Sequence, residues 1–500
     1  MKISQLVKKL ALRFGENLQE AEITGLFYDS RQVRPGGAFF ALRGQQADGH
    51  RFIDEAVTRG ARVVIMEEER RLPDGVVPLV VGDARRTMAL AAAAFYGDPT
   101  AGIPVVGVTG TNGKTTVTYL VESILRAAGR NPAVFGTISY RYGNRSYPAP
   151  NTTPESVDLL RTIAEFRAAG ADALIMEVSS HALEQQRVAG VHFEVAAFTN
   201  LTAEHLDYHG DMESYFASKR RLFIGGENSD AARAVINIDD PYGERLAKEL
   251  PEALTCGIRA RIRPAGTRLS IDGIEGEVAT PEGTVSLRSA LVGEFNLQNL
   301  LCAVGVGISL NIAPATIAEG LAGARQVPGR LERIDNDRGV LILVDYAHTG
   351  DALEKALQAL RDLSPSRLIA VFGCGGDRDP SKRPVMGEIA ARLADVAIIT
   401  SDNPRGEDPL RIIEAIRQGA TQVHPAEWPP AEAAGSREKG FVTIVDRREA
   451  IRFAVSLLRP GEVLLVAGKG HEDYQIVGRE RLHFDDRQEL RRALAATEAP

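Results

Sequence analysis

The stretch "GVTGTNGKTTV", Gly107 to Val117, constrains the fold of this chain more than any other. A buried apolar run, "IPVVGV", leads into it. Out of it runs "TTVTYLVESILRAAG", with apolar residues at helical spacing and a stop at Gly129. Strand, glycine-rich turn and helix, in that order, form a phosphate cradle at the C-terminal edge of a parallel sheet. Glycines let backbone N–H groups turn inward on phosphate oxygens, and the helix N-terminus adds partial positive charge. The spacing departs from the common G-x-x-x-x-G-K-[ST] form, because five residues separate Gly107 from Gly113 and only two separate Gly110 from it. In such a loop Lys114 would neutralise phosphate charge and Thr115 would offer a hydroxyl to Mg²⁺.

The same alternation of short apolar runs and helical patterns fills the chain. "ADALIMEVSS", "VAAFTNL" and "RAVINID" read as buried strands of one parallel sheet. "VLILVDYAHTG", "SRLIAVFGCGG", "DVAIITSDNP" and "GEVLLVAGKGHE" read as a second series, each with its polar, glycine-rich residues at the C-terminal end, where α/β sheets bind ligands. The first hundred residues suggest a smaller mixed domain, with "GDPTAGIP" as a linker and a second boundary after "QVPGRLERI". The 500 residues exceed one ordinary domain. We expect three: 1–97, 98–332 and 333–500.

Composition narrows the partners. The 59 basic and 66 acidic residues leave a net charge of −7, which argues against nucleic acid or an anionic membrane. Cys256, Cys302 and Cys374 lack metal-ligand spacing, so a reducing compartment is expected and a disulfide framework is not. Charges interrupt the apolar N-terminal run, and no stretch approaches a membrane span. We expect a cytoplasmic, soluble protein, in which a local basic cleft could still bind a small anionic substrate.

"GTNGKTT" resembles the phosphate loop of the Mur ligase superfamily. The resemblance extends through "YDSR", "GQQADGH", "NTTPE", "MEVSSHALEQQRV", "TNLTAEHLDYHGDMESYFASKRRLF", "DYAHT", "GGDRDPSKRP", "DNPR" and "GKGHE". In this order over most of the chain, they are similar to the branch that adds the third amino acid to the UDP-linked peptide precursor of bacterial cell wall. The resemblance implies an N-terminal α/β domain binding the UDP substrate, a central ATPase domain with a mostly parallel sheet, and a C-terminal Rossmann-like domain. It also implies ATP as co-substrate, about two Mg²⁺ ions and an acyl-phosphate intermediate on the D-glutamyl carboxylate.

Residue by residue, the resemblance assigns Gly110, Thr111, Asn112, Gly113, Lys114, Thr115 and Thr116, with Asn299, Arg330 and Asp345, to ATP. Catalytic roles fall to Lys114, Glu177, His205 and Lys219. Thr115, Glu177, His205 and Lys219 as its carbamate would hold metal. An ammonium near two Mg²⁺ ions is destabilised, and the neutral amine can then take up CO₂. Ser30, Gln45, Gln46 and Ala47 match contacts to the UDP end. Asn151, Thr152, Thr153, Ser179, Gln185 and Arg187 match the muramoyl-peptide channel. Arg378, Asp402, Asn403, Pro404, Arg405, Gly468 and Glu472 match the site for the incoming amino acid. Arg405 offers a fork for the second carboxylate of meso-diaminopimelate; lysine-adding relatives lack it.

Taken alone, each residue also has a plainer reading: Glu177 as an ion-pair partner, His205 as a loop residue, Lys219 as a solvated lysine, Arg330 as a salt bridge and "DNPR" as an exposed turn. Three other functions stay open: a different ligase of the superfamily (lysine-adding, or similar to folylpolyglutamate synthase), an ATPase that ligates nothing, and a non-catalytic nucleotide-binding module. "DNPR" with "YDSR" and "QADG" argues against a folate enzyme. Retention of Lys114, Glu177 and Lys219 argues against a non-catalytic module.

Overall fold

The computed structural model describes residues 1–10, 22–44, 47–225, 233–324, 326–435 and 438–496. The chain forms two compact units, Met1–Arg261 with Cys302–Ala313, and Ile262–Leu301 with Pro314–Pro500.

The first unit carries two sheets. The N-terminal one runs Leu26–Phe27, Gly37–Phe40, Ala61–Met66, Val77–Val80, with every pair parallel. Its two central strands, Gly37–Phe40 and Ala61–Met66, are apolar at consecutive positions because both faces are covered. Phe40, Val63 and Ile65 enter one core, while Phe39, Val64 and Met66 enter another.

The larger sheet runs Leu254–Cys256, Arg233–Asn237, Val195–Phe198, Val105–Thr109, Ala173–Glu177, Pro132–Phe135, Ser139–Tyr142, Arg145–Pro148. The first six strands are parallel and the last two form an antiparallel edge. All four strands read from the apolar runs of the central region are present. Val105–Thr109 has later strands on both sides, so its C-terminal end opens at a switch in strand order, where such sheets bind ligands. The helix Lys114–Ala127 that follows buries Val117, Leu120, Val121, Ile124 and Leu125. Gly129, at φ +75°, ends it with a left-handed turn.

In the second unit a small antiparallel sheet around Gly273–Thr280 and Gly283–Ser289 accompanies a six-stranded sheet. The latter runs Glu332–Arg333, Leu341–Asp345, Val463–Ala467, Leu368–Phe372, Val396–Ile399, Gly440–Thr443, parallel except for its first pair. "DYAHT", "GKGHE", "GGDRD" and "DNPR" each follow the C-terminal end of one of four adjacent strands, so one sheet edge carries all four motifs. Behind that edge, Arg447 and Asp486 form a fully buried bidentate pair with both bonds at 2.7 Å. No helix among the described residues is long and apolar enough to cross a membrane.

Candidate active site

The structure explains the loop's odd spacing. Gly107 lies inside its strand, where a Cβ would meet the Phe193 ring at 2.7 Å, so it is a packing glycine. The cradle itself begins at Gly110, whose φ of +146° and closeness to the Thr199 hydroxyl leave no room for a side chain. Gly113 caps the helix at φ +86°. The segment after strand Val195–Phe198 holds the loop. Thr111 N–H donates to the Asn200 carbonyl at 2.8 Å, Asn112 N–H to Asn200 Oδ1 at 2.9 Å, and Thr199 Oγ1 to the Asn112 carbonyl at 2.6 Å. Lys114 folds back over the cradle and donates to the Gly110 and Thr111 carbonyls, both at 2.8 Å.

Glu177 ends strand Ala173–Glu177 and is buried beside the loop. Its carboxylate accepts from Thr115 Oγ1 at 3.1 Å and from Thr137 twice, through the backbone N–H and through Oγ1, both at 3.0 Å. A side chain on Gly136 would overlap this carboxylate. Lys219, on helix Met212–Arg220, is only 1 % exposed. It donates to the Gly110 carbonyl at 2.8 Å and lies over the Tyr215 ring. Burial, reinforced by Lys114, pushes its pKa well below the ordinary lysine range. His205 takes a left-handed conformation, φ +56°, ahead of the short helix Leu206–His209. Burial depresses its pKa too, favouring the neutral imidazole that can ligate a cation. His181 packs against the His205, Tyr208 and His209 rings and is pushed down to about 4, chiefly by burial.

Among the described residues no three His, Cys, Asp or Glu side chains converge as a ready-made metal cluster. The Thr115 hydroxyl and the Glu177 carboxylate beside this glycine loop nevertheless suit the chemistry of Mg²⁺, which takes hard oxygens and keeps waters.

The residues assigned to the peptide channel come together next to Glu177. Thr152 and Thr137 hydroxyls lie 3.0 Å apart, and Thr153 Oγ1 donates to the Glu177 carbonyl at 2.9 Å. Tyr140 donates to the Asn151 carbonyl. Ser179 caps helix Ser180–Glu184 and its N–H donates to Thr153 Oγ1 at 3.1 Å. Arg187 donates to the Thr153 carbonyl and Gln185 Oε1, both at 2.9 Å, with its Nε 3.0 Å from Glu155. Ser30 sits in the N-terminal domain, donating to Glu55 at 2.7 Å. The Ala47 carbonyl accepts from Gly44 N–H at 2.9 Å. Gln45 and Gln46 lie outside the described residues.

In the second unit, Asn299 is buried on helix Glu294–Ser309 and donates to Asn296 Oδ1 at 3.1 Å. Asp345 accepts from the Leu331 and Ala347 N–H groups at 2.7 and 2.8 Å; burial raises its pKa against the pull of Arg330. The Arg330 guanidinium lies over the Tyr346 ring, which in turn meets the His471 ring at a tilt.

Asp402, Asn403 and Pro404 are buried, contrary to a plain surface turn. Asn403 donates to Glu472 Oε2 at 2.9 Å, and its Oδ1 accepts from Ile476 N–H at 2.9 Å. A Cβ on Gly468 would meet Asp402 Oδ2 at 2.6 Å. Arg405, at φ +50°, donates to the Gly376 carbonyl at 2.8 Å. Arg378 is exposed on the same "GGDRD" loop.

Several side chains at these sites were not singled out from the sequence: Thr137, Thr199, Asn200, Tyr346, His471 and Lys469. Lys469 carried a usable signal, because a lysine between two glycines marks close backbone approach. Thr137 carried none.

Three family descriptions cover most of the chain: Mur ligase family, catalytic domain over residues 22–106, Mur ligase middle domain over 108–307, and Mur ligase, glutamate ligase domain over 329–470. A UDP-N-acetylmuramoyl-L-alanyl-D-glutamate–2,6-diaminopimelate ligase of Geobacter metallireducens is 55 % identical over 94 % of this chain and 93 % of its own. The ligase of that name from Geobacter sulfurreducens is 52 % identical over 96 % of each. A solved structure of a ligase of the same name superposes with a TM-score of 0.73 at 31 % identity over 100 % of both chains.

Proposed function

Because this chain belongs to the Mur ligase family, we propose that it uses ATP to join meso-2,6-diaminopimelate to the D-glutamyl γ-carboxylate of UDP-N-acetylmuramoyl-L-alanyl-D-glutamate, a step in peptidoglycan precursor synthesis. The observation that carries this reading is the convergence of Lys114, Thr115, Glu177 and buried Lys219 on one loop, directly beside Thr152, Thr153 and Arg187. Nucleotide phosphate and substrate carboxylate would meet there.

Amide formation in water is uphill, so the carboxylate must first take the γ-phosphoryl group. The incoming amine then attacks the acyl phosphate and expels phosphate. Gly110 to Thr116 would shape the phosphate cradle, with the N–H groups of Gly113 to Thr116 at the helix N-terminus facing the phosphates while those of Thr111 and Asn112 are taken by Asn200. Lys114, which bonds carbonyls of its own loop, would swing its charge onto the phosphate oxygens as they arrive. Thr115 and Glu177 would hold one Mg²⁺, and His205 with the Lys219 carbamate a second; bound there, the ions screen two anions that must approach each other. Lys219 reaches the carbamate when its neutral amine adds to CO₂ and releases one proton, and its depressed basicity supplies that neutral form. Thr137 would keep Glu177 aimed. Arg187, with Asn151, Thr152, Thr153, Ser179 and Gln185, would orient the peptide, and Ser30, Gln45, Gln46 and Ala47 the UDP end. Asn299, Arg330 and Asp345 would meet the base, phosphate and ribose of ATP.

Asp402, Asn403, Pro404, Arg405, Arg378, Gly468 and Glu472 would read the amino acid. Arg405 presents a bidentate donor to the distal carboxylate. We assign the three roles to domains 1–97, 98–332 and 333–500, in a cytoplasmic monomer.

The test is phosphate release with the UDP-linked dipeptide, ATP and a panel of amino acids. Release dependent on meso-diaminopimelate, with the tripeptide product identified by mass, is expected. Release without any amino acid would mark a simple ATPase. Preference for lysine would place the chain in another branch of the family.

A further inference from the structure

Lys469 is 0 % exposed, yet it is surrounded by oxygen. Its Nζ donates to Asn403 Oδ1 at 3.2 Å, to Glu472 Oε2 at 3.3 Å and to Asp402 Oδ1 at 3.5 Å. Burying a lysine this deeply is strongly unfavourable unless anions compensate it, and here two do. The nearby Arg447 does not duplicate this role, because its guanidinium is committed to a bidentate bond with Asp486. Burial alone would raise the Asp402 carboxyl, but Lys469, with help from Arg447 and His348, holds it below the ordinary range. Local charge therefore counts one lysine against two carboxylates, with the Arg405 guanidinium on the same motif.

We propose that Lys469 is a positioning residue that sets amino-acid selectivity. By balancing Asp402 and Glu472, it fits the pocket to a distal centre carrying both an ammonium and a carboxylate, in preference to one carrying an ammonium alone. The proposal rests on the ligase reading above. Without Lys469 the two carboxylates would repel a distal carboxylate and attract a lone ammonium, so lysine would gain on meso-diaminopimelate. Asn403 Oδ1 and Glu472 Oε2 would each also lose a donor, leaving only the direct Asn403–Glu472 bond between them.

The test compares Lys469→Met, Lys469→Arg and Glu472→Gln in the full chain, with meso-diaminopimelate and lysine as alternative substrates and ATP binding measured separately. Lys469→Met should raise KM for meso-diaminopimelate about tenfold or more, leave kcat and ATP affinity within about twofold, and lower the diaminopimelate-to-lysine ratio of kcat/KM by about tenfold. Lys469→Arg should restore much of the ratio. Glu472→Gln removes negative charge and should move the ratio the opposite way, which keeps the test decisive should Lys469→Met fail to fold. An unchanged ratio, or shifts in the same direction for Lys469→Met and Glu472→Gln, overturns the proposal while leaving the ligase reading intact. Wild-type protein that does not ligate meso-diaminopimelate at all overturns both.

Discussion

The two units each bury a lysine beside their candidate ligands, and the two are buried for opposite reasons. Lys469 is met by two carboxylates and an amide oxygen. Lys219 is met by a backbone carbonyl and an aromatic face, with Lys114 repelling it. Among the described residues no carboxylate pairs with it. A buried cation rich in anions is already at rest and organises its neighbours. One without such partners has its ammonium made more acidic by burial, poised to lose its proton and change chemistry. Burial of a lysine is thus not one signal but two, separated by what surrounds Nζ.

The largest break in that comparison comes from Lys114, the charge set against Lys219. Lys114→Ala should lower kcat for ligation by roughly 10²–10³-fold or more, since a donor aimed at developing phosphate charge is lost. Near wild-type turnover at saturating ATP would end the phosphate-loop assignment.

Lys219→Ala tests the poised lysine itself. The variant should fold normally, and activity should fall by roughly 10²-fold, within the range for a lost charge-stabilising group. A small carboxylic acid added to the buffer should restore part of it by occupying the carbamate position. If full activity persists in CO₂-depleted buffer, Lys219 needs no carbamate for turnover.

Arg405→Ala sharpens the other side. A distal carboxylate left without its fork should cost roughly 2–5 kcal/mol of binding. The loss should appear as a raised KM for meso-diaminopimelate, with KM for ATP and the UDP-dipeptide nearly unchanged and discrimination against lysine reduced. Equal losses for every substrate would mean that Arg405 supports folding.

The sequence revealed these two regions unequally, for physical reasons. The glycine loop was legible because backbone geometry demands glycine at Gly110 and Gly113, and the apolar strand and amphipathic helix around it announce themselves by period. Its unusual spacing was not interpretable, since only the packed Phe193 ring shows that Gly107 serves the strand. The motifs at the second sheet edge were readable as polar strand ends. Their mutual bonds were not: Lys469 and Asn403 are 66 positions apart in sequence and meet only because their strands end at the same edge. The burial of "DNPR" was likewise hidden, because the same letters suit an exposed turn. Lys219 was visible only by resemblance; its helix shows nothing to distinguish a buried lysine from a solvated one.

Thr137 gives the smallest and most discriminating test. It lies in no motif, yet it supplies two of the three bonds that hold the Glu177 carboxylate, the third coming from Thr115. Thr137→Val keeps the side-chain shape and the backbone N–H, removing only the hydroxyl. A hydrogen bond to a charged group contributes about 1.5–3 kcal/mol, and groups that orient a metal-binding carboxylate typically change metal affinity about 10–100-fold. Because the N–H bond survives, the low end applies, so the Mg²⁺ concentration for half-maximal activity should rise about tenfold. The KM for the UDP-dipeptide should rise slightly, since the same hydroxyl reaches Thr152. The diaminopimelate-to-lysine ratio should not move at all, because Lys469 and Arg405 belong to a separate set of bonds. A Thr137→Val enzyme with wild-type Mg²⁺ dependence would show that Glu177 needs no such support. One with an altered amino-acid preference would show that the two buried lysines answer to a common arrangement after all.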